Sequence, residues 1–156
     1  MWSKTRQILE SRLAENLKGR VSFHYDVYHT NKDKVKKWWF TENHVFSVIV
    51  DGKPWFCSNP EYFRLMYQEK KTELEIIRDY GLVATNYAGG FLNTCIHEYL
   101  NELSIGQAIT HDNYFIRLLA VLDVRLGKRK IKALVDNVEN EPEWFRKWIL
   151  LRGVQK

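Results

Sequence analysis

Val21-Ser22-Phe23-His24-Tyr25-Asp26-Val27-Tyr28 alternates apolar and polar residues, and Phe46-Ser47-Val48-Ile49-Val50 takes up a similar alternation just before Asp51-Gly52. Successive side chains of a strand point to opposite faces, so a period of two marks a strand with one buried face. Asp-Gly between two such runs is the signal for a type I′ hairpin turn, which requires positive φ at both central residues. The returning strand is expected over Trp55 to Cys57, and Pro54 places it at a sheet edge. Val35 to Thr41, containing Trp38, Trp39 and Phe40, reads as a further strand. These stretches fix an antiparallel sheet of three or four strands as the centre of the first half.

Helical spacing surrounds that sheet. Ser3 is placed to cap a helix over about residues 4–17 whose Leu9, Leu13 and Leu17 form one stripe, closed by Gly19. Ser58-Asn59-Pro60-Glu61 has the form of a helix start, and one helix is expected from there to about Tyr80, stopped by Gly81. Leu82 to Gly90 shows no clear period and is read as a boundary. Beyond it the spacing is helical throughout, with helices expected over Phe91–Leu103, Asn113–Leu126 and Lys128–Val138. A last one opens at Glu141-Pro142. The apolar residues of 115–126 almost encircle their helix, which predicts the central one. The fold class is therefore α+β: an N-terminal helix, the antiparallel sheet and a helix in residues 1–81, then a bundle of four or five short helices in residues 91–153. The two subdomains are expected to pack as one unit.

Composition narrows the class of protein. The 156 residues are 45% apolar and 28% charged, with 22 aromatic side chains and only 11 Pro plus Gly, which excludes disorder and low complexity. The apolar runs fall far short of a bilayer span, and Met1 to Arg6 lacks a signal-peptide core, so a cytoplasmic protein without membrane contact is expected. Cys57 and Cys95 cannot build a disulfide framework and read as reduced, buried thiols. The net charge of +5 alternates along the chain, being +4 over residues 1–60, −4 over 61–112 and +5 over 113–156. A basic arm for nucleic acid is usually continuous, so the balance favours a polyanionic partner only modestly.

Chemistry is sparsely signalled. His24, His29, His44, His97 and His111 match no metal-ligand spacing, neither cysteine belongs to a Cys-x-x-Cys, no serine sits in a nucleophile elbow, and Gly89-Gly90 is too short to cradle a phosphate. An enzyme would need His24, Asp26 or His97 to meet in a pocket. No cofactor is expected. Binding has more material: Lys36 and Lys37 precede Trp38 and Trp39, whose side chains must point to opposite faces of a strand, so one indole is available to a partner. Arg125, Lys128 and Arg129 form the second basic group. The expected partner is another protein, bound by a non-enzymatic module of immunity-like or regulatory type. The alternative is nucleic acid held by the basic aromatic strand, and the oligomeric state is left open.

Two resemblances bear on this. The helix, three-strand, helix order resembles a double-stranded-RNA-binding domain, but the lysine-rich start of that family's second helix is replaced here by Ser58-Asn59-Pro60-Glu61-Tyr62. Met1-Trp2-Ser3-Lys4-Thr5, Leu17-Lys18-Gly19-Arg20-Val21 and the run from Ile116-Arg117 through Leu122-Asp123 to Arg125-Leu126-Gly127-Lys128-Arg129 resemble a family of bacterial proteins of about this length with no established function. That resemblance implies a bacterial cytosolic protein, of accessory or immunity type, and carries no catalytic residue with it. It also implies that Asp123, Arg125 and Arg129 tie helices together through ion pairs.

Overall fold

A computed structural model describes residues 2–29, 42–84 and 88–154. Helix α1 (Trp2–Ser11) leads through a short 3₁₀ turn to strand β1 (Val21–His29), which pairs antiparallel with β2 (Glu42–Val50). Asp51 and Gly52 both have positive φ, at 50° and 83°, as the expected type I′ turn demands, and β3 (Lys53–Ser58) returns antiparallel to β2. The fourth strand, β4 (Leu82–Val83), is parallel to β3 and pairs only with Cys57 and Ser58. Pro54 therefore lies inside the β1-β2-β3-β4 order, yet beyond the reach of β4, so its missing N–H costs no ladder bond on that side.

Val21 and Phe23 of β1, Phe46, Val48 and Val50 of β2, and Phe56 of β3 share the buried face, as the period of two requires. Tyr25, next in that series, is half-buried, and Val27 beyond it is 40% exposed. The register of β2 and β3 shifts between Val48 and Ile49. Trp55 and Phe56, adjacent in sequence beside this bulge, both meet the last helix, α8 (Glu143–Gly153): Trp55 lies edge-on to Trp148 at 5.2 Å, and Phe56 is 5.7 Å from Trp144.

The single helix expected up to Tyr80 is two helices, α2 (Glu61–Tyr67) and α3 (Glu73–Tyr80). Lys70 takes φ 55° and reverses the chain, and Thr72 starts α3 with a capping box. Its Oγ1 accepts from the Glu75 amide at 3.3 Å while Glu75 Oε2 accepts from the Thr72 amide at 2.9 Å. Thr72→Ala is expected to lower stability by about 1 kcal/mol, read as a lower urea midpoint at unchanged slope. The box expected at Ser58 does not form, since Ser58 is buried in β3, where its hydroxyl accepts from the Phe46 amide.

The remaining helices are α4 (Ala88–Asn101), α5 (Ile105–Ile109), α6 (Tyr114–Leu122), α7 (Lys128–Asp136) and α8. Helix α6 is the central one, with every residue from Phe115 to Leu122 except Arg117 buried. Asn113 caps it, its side chain accepting from the Phe115 amide. One continuous core joins Leu9 of α1 and Leu13 just beyond it, the inner sheet face, Leu92, Ile96 and Tyr99 of α4, all of that α6 face, and Phe145, Trp148 and Ile149 of α8. Among the described residues no helix is long and apolar enough to cross a membrane.

Candidate functional site

Helix α6 ends four residues earlier than its apolar pattern, because Asp123 turns extended and pairs with Leu13 just after α1. The Ala14 amide donates to Leu122 O and the Val124 amide to Arg12 O, at 2.9 and 2.8 Å. The Asp123 carboxylate is fully buried there. It accepts from the Tyr99 hydroxyl of α4 and, in a fork, from Arg125 at 3.1 and 2.7 Å, as well as from the Arg125 amide at 2.8 Å. Burial pushes the carboxyl upward, but the Arg125 and Tyr99 hydrogen bonds outweigh it and hold Asp123 below the usual carboxylate range. Arg152 of α8 reaches the Leu126 carbonyl at 3.1 Å. The Asp123 side chain thus ties α4 to the end of α6, the backbone around it joins the segment after α1, and Arg125 is occupied within the fold.

The groups suited to covalent or acid-base work are tied down too. Cys95 is buried, its thiol pushed up to about 12 by burial, against the opposing hydrogen bond from Asn113 Nδ2 at 3.2 Å. Cys57 is half-buried and raised as well, chiefly by burial, with Lys147 opposing. His24 Nε2 bonds Ser22 Oγ at 2.9 Å on its own strand, and His97 sits on α4 beside Asn101. His111 Nδ1 accepts from the Asn113 amide, so Nε2 carries the proton and donates to Glu98 at 3.1 Å. Among the described residues no three His, Cys, Asp or Glu side chains group to hold a metal ion.

Open surfaces among the described residues include a trough and a groove. A trough of about 340 Å³ runs between α5, α6 and α7, lined by apolar Ile109, Ala133 and Leu134 and bordered by Arg117, Lys130 and Glu141. Arg117 is held in place at one wall: its guanidinium lies 4.4 Å over the Tyr114 ring, donates to the His111 carbonyl and reaches the Tyr114 hydroxyl, which bonds Glu141 at 3.2 Å. Helix α7 buries Ile131 and leaves Lys128, Arg129, Lys130 and Lys132 exposed, with Lys132 paired to Asp136 at 2.8 Å. The trough therefore has an apolar floor and a polar rim of mixed charge, with Thr110 and Asn137 beside Arg117, Lys130 and Glu141. The second surface is a groove of about 530 Å³ between α1 and α4, lined by Trp2, Ile8, Arg12, Tyr25 and His97 among others.

Of the residues picked out by sequence, Lys36, Lys37, Trp38 and Trp39 lie outside the described residues. Arg125 is drawn to Asp123, whereas Lys128 and Arg129 stand at the start of α7, beside the trough. The trough itself is not visible in sequence, because its floor comes from two helices, α5 and α7, with a wall from α6. The groove's Trp2, Thr5 and Ile8 lie on the flank of the stripe formed by Leu9 and Leu13, and that flank reads as solvent-facing.

The model of the SF0329 protein family matches residues 1–153, which takes in every element from α1 to α8. The chain belongs to that family. No curated protein and no solved structure matches it. All three sequence runs that carry the expected resemblance fall inside the matched span, and one of them, residues 116–129, supplies both Asp123 with Arg125 and the start of α7.

Proposed function

We propose that this protein is a non-enzymatic binding module of immunity-like or regulatory type, and that its partner is another protein seated on the α5–α7 trough. The observation that carries the reading is the trough's make-up: an apolar floor of Ile109, Ala133 and Leu134 inside a polar border of mixed charge. Apolar centre and polar rim is the anatomy of a protein interface, and the exposed lysines of α7 would steer an acidic partner toward it. The immobilised histidines and raised thiols support binding over catalysis.

The four exposed basic residues of α7 support a second reading, nucleic acid held by phosphate contacts, to which Lys36, Lys37, Trp38 and Trp39 would add a stacking strand. Salt and nuclease separate the two. Tagged protein incubated with lysate of its source cells is expected to retain a stoichiometric protein after nuclease treatment and at high salt. Recovery of nucleic acid alone, released as salt rises, would replace the first reading by the second.

A further inference from the structure

The groove between α1 and α4 lies apart from the trough and has a different chemistry. Trp2 and Tyr25 form an aromatic end, with ring centroids 5.9 Å apart, and Ile8, Ile96 and Leu100 continue the apolar lining. Arg12 lines the groove ten residues after Trp2, about 15 Å along a helical path. Its Nη2 reaches only the Leu100 carbonyl, at 3.5 Å, its Nη1 is buried without a hydrogen-bond partner, and among the described residues no carboxylate pairs with it. The remaining lining is Thr5, Asn93, His97 and Asn101, so the groove offers donors and a cation but no acid.

A partly buried guanidinium without a counter-ion favours an anion strongly, because the charge-assisted bond forms where water competes poorly. The volume of about 530 Å³ falls within the range of small-molecule sites, typically about 300–1,000 Å³, and the aromatic end suits a flat apolar body. We infer that this groove binds a small amphipathic carboxylic acid, its ring system against Trp2 and Tyr25 and its carboxylate on Arg12. Asn93 donates its carboxamide N–H to the acid, while Asn101, whose Nδ2 donates to the His97 carbonyl at 3.1 Å, borders the site. The site is independent of the trough, and neither reading needs the other.

The test uses 1-naphthylacetate and its neutral counterpart 1-naphthylacetamide as probes, titrated into ¹⁵N-labelled full-length protein. The acid is expected to shift the Trp2 indole N–H and the Asn93 and Asn101 side-chain amide resonances saturably, and to bind tighter than the amide. Arg12→Met keeps the aliphatic stem and is expected to weaken the acid about tenfold while leaving the amide unchanged. Should that variant lose its native spectrum, Ile8→Glu supplies the same comparison: Ile8 is 45% exposed, and a carboxylate placed there should repel the acid and spare the amide. Equal affinity for both probes, shifts confined to other regions, or no saturable shift at millimolar probe would each overturn the assignment.

Discussion

Replacing Asp123 by alanine is expected to destabilise the protein by about 3–5 kcal/mol, the loss typical of removing one partner from a buried ion pair. The carboxylate is fully buried and joins Tyr99 of α4 to Arg125 beyond α6, so its loss strands the Tyr99 hydroxyl and removes the bidentate partner of Arg125. Asp123→Asn keeps an acceptor for Tyr99 while removing the charge, and should lose less, about 1.5–3 kcal/mol. Acid distinguishes this account from simple packing loss. Because the folded carboxyl is held below its unfolded value of about 3.9, its contribution is present above that pH and disappears as pH falls through the folded value. Urea titrations across that window should show wild-type stability converging on that of Asp123→Asn as the solution becomes more acid. A constant gap between the two at every pH would show that the charge contributes nothing.

Gly81→Ala is the second large loss, expected at about 3 kcal/mol. Gly81 ends α3 at φ 66°, where a side chain costs about 1–2 kcal/mol. An added Cβ would also lie 2.7 Å from Trp144 Cε3 and 2.8 Å from Cγ. The indole cannot simply move away, because its Nε1 donates to the Arg78 carbonyl at 2.7 Å and its ring packs against Phe56 and Phe145. Overpacking of this kind typically adds about 1–3 kcal/mol. Gly19 separates the two contributions: it has φ 81° but nothing within 4 Å of a Cβ, so Gly19→Ala should show the backbone strain alone. Chemical denaturation of both variants gives the comparison, and equal losses would remove Trp144 from the explanation.

The legibility of this chain followed the range of the interactions concerned. The hairpin was readable because a strand's period and the Asp51-Gly52 turn are local, and both needed only residues 21–57. The split between α2 and α3 was also local, written in Thr72 and Glu75, but the mixed charges of 69–75 read equally well as the outer face of one long helix. The early end of α6 could not be read, because the competing partner of Asp123 is Leu13, some 110 positions away. Ion pairs among Asp123, Arg125 and Arg129 were implied by the family resemblance; Asp123 and Arg125 do pair, Arg129 stands exposed on α7, and Tyr99 as the third member gave no sign in its own neighbourhood. Both open surfaces share that difficulty. Each is made by flanks of helices that are polar enough to pass as solvent-facing until packing brings them opposite one another.

The central claim is that an apolar trough, rather than basic charge, holds the partner. Ala133 is exposed on α7 within the trough, so Ala133→Arg fills it without touching the core and without removing any positive charge. Lys128→Glu with Arg129→Glu reverses the exposed start of α7 and leaves the trough open. Capture from source-cell lysate, after nuclease and at high salt, should be compared for the wild type and these two variants, with circular dichroism confirming the fold. The account predicts that Ala133→Arg loses the captured protein and the charge-reversed variant keeps it. Retention by Ala133→Arg, or loss only on charge reversal, would contradict it.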